Sequence, residues 1–99
     1  MEDRKEMNVQ NETNFNALDN AFNDFEYKTN KLMESNAILQ ASISEDTEFI
    51  DYIKENRLLI DKYIDKMSQI VERLFMIIPG VEMAEYEVRL EKVKDKLRS

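Results

Sequence analysis

The stretch ASISEDTEF, residues 41–49, decides the fold, because one hydrophobic pattern runs in constant phase on both sides of it. From Phe15 to Ile78 the pattern advances alternately by three and four residues without a shift. A mean spacing of 3.5 residues keeps one side of an α-helix, here called the seam, against a neighbouring helix. The seam either continues through residues 41–49 as one long helix or folds back on itself there.

The seam residues are apolar except at four positions, which are Thr29, Asn36, Asp46 and Arg57. A continuous apolar stripe has to be covered by other helices, because leaving it in water costs free energy. We therefore predict an interface made of the seam residues Phe15, Leu18, Phe22, Phe25, Leu32, Asn36, Leu39, Ile43, Ile50, Ile53, Arg57, Ile60, Ile64, Met67, Val71, Leu74 and Ile78.

The composition predicts an all-α fold. The 99 residues include one glycine and one proline, whereas a small sheet protein needs turn residues between many short strands. Asparagine is plentiful, but it falls inside the periodic segments. The charged fraction of 35%, rich in Glu and Lys, is typical of the wet faces of long helices.

We expect one long coiled-coil helix over about residues 13–78, because the phase of the seam is identical before and after residues 41–49. Such a helix would be about 95 Å long at the usual rise per residue. This helix is continuous or merely kinked, and the alternative is a true turn near residues 42–46, with helices of about 13–41 and 45–78 folded back as a hairpin. Ser42 or Ser44 would then cap the second helix, with Glu45 and Asp46 in its first turn.

Pro79 and Gly80 end the long helix, because proline lacks an amide donor and glycine accepts a positive φ. A C-terminal helix over residues 81–98 is predicted after this turn, with an apolar stripe that leans back on the long helix or docks on a partner. That stripe consists of Met83, Tyr86, Leu90, Val93 and Leu97. Residues 1–11 are predicted to be a flexible N-terminus, and residues 12–78 to be the coiled-coil or helical-bundle region.

The apolar face widens after Phe49, where Tyr63, Ile70 and Ile77 flank the seam. One neighbour cannot cover so wide a face, so three or four helices are expected around residues 49–78. The C-terminal helix covers the surplus, or other subunits do. We expect an oligomer with other helical protein chains, and a hetero-oligomer more than a homo-oligomer, because two Arg57 side chains would face each other in a parallel homodimer.

Asn36 and Arg57 are the two polar seam residues with the clearest possible roles. A buried asparagine can specify register and oligomeric state, and a buried arginine requires a carboxylate partner or an escape to the edge. One interpretation is that both residues select a particular partner. The other is that the seam simply tolerates them, as it tolerates Thr29 and Asp46.

The sequence lacks the residues that most catalytic, metal-binding and phosphate-binding sites need. Without histidine or cysteine there is no Ser-His or Cys-His nucleophile and no ordinary zinc or iron site, and one glycine cannot build a phosphate-binding loop. We predict no catalytic, metal-binding or cofactor-binding residues and no enzyme activity. The net charge of −7 argues against nucleic acid as a partner. The longest apolar run, residues 74–78, is too short to insert into a membrane, and we expect an intracellular protein, cytoplasmic or nuclear.

These observations favour a non-enzymatic helical subunit that mediates protein–protein assembly, as a coiled-coil scaffold or an adaptor within a larger complex. The alternative is a small acidic helical hairpin that regulates or chaperones a partner protein by occupying its binding groove. The two hypotheses predict different shapes, because a scaffold of this kind is a rod and a hairpin is not.

Overall fold

The computed structural model describes residues 8–42, 46–78 and 83–98, which form a 3₁₀ turn and three α-helices. The 3₁₀ turn spans Val9–Asn11, and the helices are α1 (Phe15–Ala41), α2 (Glu48–Ile77) and α3 (Met83–Arg98). No strand occurs in these described ranges. The predicted all-α fold is therefore confirmed.

Helix α1 begins at Phe15 because Asn14 caps it. The Asn14 side-chain oxygen accepts a hydrogen bond from the backbone N–H of Ala17 at 3.0 Å, and this satisfies an amide that has no partner within the helix. The Glu12 carboxylate accepts a hydrogen bond from the Asn14 N–H at 3.0 Å, which fixes the approach to the helix.

Helices α1 and α2 pack against each other as an antiparallel hairpin. The ring of Phe25 lies 5.4 Å from the ring of Tyr63, and nearer the turn the side chain of Asn36 contacts the side chain of Asn56. The longest extent of the molecule is 50 Å, about half the length that one helix over residues 13–78 would need. The predicted continuous helix is therefore wrong, and the hairpin alternative describes the chain.

The predicted cap of the second helix also differs from the observed one. Ser42 lies directly after α1, and Asp46 supplies the oxygen that accepts a hydrogen bond from the backbone N–H of Glu48 at 2.9 Å. Glu48 and Asp51 occupy the first turn of α2, where the helix dipole favours negative charge. Ile43, Ser44 and Glu45 lie outside the described residues.

Helix α3 lies in the groove between α1 and α2 and runs parallel to α1. Tyr86 and Lys96 near its two ends are hydrogen-bonded to Asp19 and Asn30, respectively. The predicted apolar stripe faces the hairpin, and its buried members join the core that also contains Leu18, Phe22, Met67, Ile70, Val71 and Leu74; those members are Tyr86, Leu90 and Val93. The predicted turn at Pro79 and Gly80 lies outside the described residues, as do residues 81 and 82.

The N-terminal segment contributes to the same core. Val9 is 3% exposed, and the 3₁₀ turn packs against α2, where Arg73 Nε donates a hydrogen bond to the Glu12 carbonyl oxygen at 2.6 Å. The predicted flexible N-terminus, residues 1–11, thus includes a core residue. Its residues 1–7 lie outside the described part of the chain.

The wide apolar face of α2 is covered by the chain itself. Ile70 is fully buried in the cluster that α1, α3 and Val9 complete, and Ile77 packs against the same cluster. The prediction of several neighbours around residues 49–78 fits this arrangement, although they come from one chain. None of the described helices combines the length and the apolar character needed to cross a membrane.

Arg89 is the main polar link between α3 and the hairpin. Its Nη2 and Nε atoms donate to the two carboxylate oxygens of Glu26 at 2.6 and 3.3 Å, and Nη2 also donates to the Asn23 side chain. The guanidinium carbon lies 4.9 Å from the centre of the Phe22 ring. The pKa of Arg89 is raised, first by the hydrogen bond to Glu26, so the group stays charged.

We expect Arg89→Met to lower the free energy of unfolding by about 1–3 kcal/mol, because it leaves the half-buried Glu26 carboxylate without its partner. Urea unfolding followed by circular dichroism measures this loss. Arg98→Met is the matched control, since Arg98 is exposed and pairs only with carboxylates of α3. Equal losses in the two variants would contradict the role of Arg89.

Tyr86 makes the second polar link and predicts a pH dependence. Burial, together with the 2.6 Å hydrogen bond that its hydroxyl donates to Asp19, raises the pKa of Tyr86 from 10.0 to about 12. The folded chain therefore keeps this proton at pH values where the unfolded chain has lost it. The resulting stabilisation is complete below the unfolded-state pKa and is lost as the pH rises towards the folded-state pKa.

We expect the free energy of unfolding of the wild type to fall more steeply between about pH 10 and pH 12 than that of Tyr86→Phe. The largest expected difference in slope corresponds to one proton released on unfolding. Urea titrations at a series of pH values measure both slopes. Tyr27→Phe is the control, because Tyr27 is exposed and lies away from Asp19, and its slope should match the wild type. Identical slopes in all three proteins would exclude the link.

Candidate protein-interaction surface

The α1–α2 hairpin continues beyond the point where α3 ends. Lys96 in the last turn of α3 donates a hydrogen bond to Asn30 at 3.3 Å, whereas α1 extends to Ala41. Past this point none of the described residues covers the groove that α3 fills elsewhere. We call this part the open groove; its lining residues are Met33, Asn36, Ala37, Gln40, Ile53, Arg57, Ile60, Lys96 and Leu97.

The open groove has an apolar floor and cationic groups at its edge. Ile60 is fully buried beneath it, Ile53 and Leu97 are half-buried, and Ala37 is exposed. The two charged lining residues are Arg57 and Lys96, and no lining residue is a carboxylate. The groove therefore offers apolar contact together with positive charge, which suits an amphipathic helix.

Arg57 is exposed at the edge of the groove and was expected inside the seam. Because its guanidinium remains in water, its charge is not buried, and the free-energy cost of removing a charge from water does not arise. In the part of the chain that the structure describes, Arg57 has neither a hydrogen bond nor an ion pair, unlike Arg89 in the closed part of the same groove. Its charge is available to a partner.

Asn36 has a structural role at the base of the open groove. Its side-chain oxygen accepts a hydrogen bond from Asn56 Nδ2 at 2.8 Å, and its own Nδ2 donates to the Ile53 carbonyl oxygen at 3.4 Å. Both asparagines are half-buried. The pair ties one level of α1 to one level of α2, so it favours a single register of the hairpin, as polar seam residues do in coiled coils.

The predicted interface residues differ in how far their side chains are buried. Most of the buried ones contact helices of their own chain, so their side chains are not displayed to a partner. The buried residues are Leu18, Phe22, Ile60, Met67, Val71 and Leu74; the half-buried ones are Phe25, Leu32, Asn36, Leu39, Ile53, Ile64 and Ile78; the exposed ones are Phe15, Ile50 and Arg57. Ile43 and the predicted helix breaker, Pro79 and Gly80, lie outside the described residues.

Several exposed apolar side chains were missed by the seam analysis because they lie away from the seam. Ile38 is 68% exposed and Leu58 is 71% exposed, and Tyr52 and Leu59 are also exposed. The sequence could have indicated them, because they are apolar residues at positions where a helix that faces water usually has polar residues. On the hairpin side opposite the open groove, Leu59 forms a shallow depression with Tyr27, Lys28, Lys31, Leu32 and Tyr63.

The end of the hairpin, residues 32–53, is acidic. It contains five carboxylates and neither lysine nor arginine, and we call this segment the acidic tip. Glu34, Asp46, Glu48 and Asp51 are exposed there. Glu34 also forms an ion pair with Lys31 at 3.6 Å.

We find no match for the chain among protein-family models, among curated proteins or among solved structures. Within the described ranges, no group of three or more acidic, histidine or cysteine side chains is arranged to hold a metal ion. A functional proposal therefore has to be argued from the surface itself.

We expect Asn36→Leu to lower the free energy of unfolding by about 1 kcal/mol, because the amide of Asn56 loses its partner. The double variant Asn36→Leu/Asn56→Leu should recover this loss, since an apolar pair needs no hydrogen bond. Urea unfolding of the wild type, both single variants and the double variant gives the coupling. A coupling near zero would mean that the pair does not set the register.

Proposed function

We propose that this chain is a non-enzymatic helical module that mediates protein–protein assembly, as an adaptor or subunit of a larger complex. The observation that carries the proposal is the open groove, where Ala37 and Arg57 are exposed and Arg57 has no ion-pair partner among the described residues. A groove between two helices is a common way to bind a helix of another protein.

A helix in this groove would remove the exposed apolar surface of Ala37, Ile53 and Leu97 from water, which is about half of the groove lining. The ordering cost is small on this side, because Asn36, Asn56 and the core already hold the two helices that form the groove walls. A prearranged groove of this kind supports a binding role more than a purely structural one.

The coiled-coil aspect of the proposal applies to α1 and α2. Their seam has heptad spacing, and the two helices pack along it in antiparallel directions. We propose that they form a short intramolecular coiled coil on which α3 and the partner dock. The 50 Å extent of the chain favours an adaptor over an extended scaffold.

A second candidate function is a small acidic regulator or chaperone that inserts its hairpin end into a partner's groove. The observation in its favour is the acidic tip, where Ile38 and Ile50 are exposed among Glu34, Glu48 and Asp51. The two candidates use different residues. The adaptor binds a helix beside Ala37, whereas the regulator contacts its partner through Ile38 and Ile50.

Site-specific photo-crosslinking in cells that naturally express the chain tests the adaptor role. We expect a benzoylphenylalanine side chain at Ala37 to give discrete crosslinked protein partners, because this position lines the open groove. The same group at Ala84, an exposed residue on the outer face of α3, is the matched control and should give none of them.

The crosslinking result separates the two candidate functions. Partners captured at Ala37 support the adaptor. Partners captured only from a probe at Ile50 support the acidic regulator, and a chain that crosslinks at neither position has no binding role at this end. Light scattering on the isolated chain accompanies this experiment, and the mass of one chain is expected because the seam is already covered intramolecularly.

A further inference from the structure

We propose that the chain pairs with a second copy of itself through one exposed stripe of α1, with the two α1 helices antiparallel. We call this surface the pairing stripe; its residues are Tyr27, Lys31, Glu34 and Ile38. A two-fold axis would lie midway between Lys31 and Glu34. The stripe lies on the side of α1 away from the open groove, so the inference does not depend on the proposed function.

The four residues of the pairing stripe share one face of α1, because spacings of three and four residues bring side chains to the same side of an α-helix. Tyr27 is 62% exposed and Ile38 is 68% exposed, and the two charged residues between them are exposed as well. Exposed apolar side chains alone do not identify a partner. The order of the residues along this stripe does.

That order is self-complementary. The spacings along the stripe are four, three and four residues, so they read the same from either end. When a second α1 lies antiparallel across the stripe, Lys31 of each copy is level with Glu34 of the other, and Tyr27 is level with Ile38. A parallel pair would instead place Lys31 beside Lys31 and Glu34 beside Glu34, and like charges oppose association.

Lys31 and Glu34 form an ion pair within one chain. Lys31 Nζ lies 3.6 Å from Glu34 Oε1, and both side chains are more than half exposed. An exposed pair of this kind contributes little to stability by itself. In the antiparallel dimer each charge gains a second neighbour of opposite sign, and the four groups form an alternating network that the apolar ends of the stripe partly shield from water.

The shallow depression beside the pairing stripe receives an apolar side chain of the second copy. Its lining residues are Tyr27, Lys28, Lys31, Leu32, Leu59 and Tyr63. The antiparallel register brings Ile38 of the second copy to the level of Tyr27, at the edge of this depression. Because the axis is two-fold, the contact occurs twice, and Ile38 of each copy moves from water to apolar surroundings.

The size of the pairing stripe implies a weak dimer. Tyr27 and Ile38 are 11 residues apart, about 17 Å at the helical rise, whereas stable complexes bury about 1,200 Å² or more in total. We expect a dissociation constant on the order of 0.1–1 mM. The isolated chain therefore keeps the mass of one chain at micromolar concentrations, and it pairs where an assembly holds two copies close together.

Sedimentation equilibrium of the full chain at up to about 1 mM tests the inference, in about 0.15 M salt that screens the repulsion between two negative copies. We expect the wild type to dimerise. Lys31→Glu and Glu34→Lys should each weaken self-association about tenfold or more, because like charges then meet across the axis.

An equal mixture of these two variants should pair with about the affinity of the wild type. In the mixed dimer each glutamate of one chain is level with a lysine of the other, which an effect inside a single chain cannot reproduce. Both variants remain net negative, so attraction between whole chains does not explain such a result.

Glu91 and Lys94 of α3 provide the matched control, because they form another exposed ion pair three residues apart, at 3.8 Å, outside the pairing stripe. Glu91→Lys and Lys94→Glu should each self-associate within about twofold of the wild type, and mixing them should add nothing. Circular dichroism checks that all four variants remain folded.

The apolar contact is tested separately. Ile38→Ser should weaken the dimer about tenfold, because each copy loses an apolar side chain from the interface. Leu58→Ser is the matched control, since Leu58 is 71% exposed and does not line the depression, and it should leave the affinity unchanged.

The outcomes separate this inference from the proposed function. A wild type that keeps the mass of one chain at about 1 mM overturns the inference, and a partner captured at Tyr27 would then be a different protein. A dimer that ignores the exchanged charges, or variants that do not pair when mixed, also overturn it. Each of these results leaves the adaptor role standing, because crosslinking at Ala37 tests the open groove. Pairing of the mixed variants supports the inference even if Ala37 captures no partner.

Discussion

The packing of α1 against α2 along the seam is the contact on which the rest of the structure depends. Helix α3 and the 3₁₀ turn both dock on surfaces that exist only after the hairpin has formed, and their apolar residues Val9 and Val93 enter the core that Phe22 and Met67 begin. Folding back lets the two halves of the seam cover each other within one chain. Their effective concentration is then set by a short connection and not by the abundance of a partner.

The candidate site lies between α1 and α2, next to Lys96 and Leu97 in the last turn of α3. In the closed part Arg89 of α3 pairs with Glu26 of α1. In the open part Arg57 of α2 is exposed and has no carboxylate partner among the described residues. The apolar stripe of α3 and the Arg89–Glu26 ion pair therefore complete the closed part of the groove. Among the described residues, no equivalent stripe or ion pair occurs in the open part.

The charge of the chain is unevenly distributed, and this matters more for binding than its total. The net value of −7 would suggest a basic partner, and the acidic tip fits that expectation. The open groove departs from it, because the charged residues that line it are cations. Screening limits each of these charges to a short range at physiological salt, so an occupant responds to the local sequence of charges along the groove.

The sequence by itself determined the helices, because heptad spacing and the near absence of glycine and proline leave few other structures for this chain. It also identified the apolar stripe of α3 and the seam residues Phe22, Met67 and Leu74, which were predicted to form an interface and lie in the core of the chain. It did not determine the fold-back, because a seam of constant phase looks the same whether its partner is another chain or its own second half. Asp46 accepts a local hydrogen bond from the Glu48 N–H at the start of α2, but this bond does not decide whether the chain turns back. The position of Arg57 was likewise decided by tertiary structure, since its exposure depends on how α2 packs against α1.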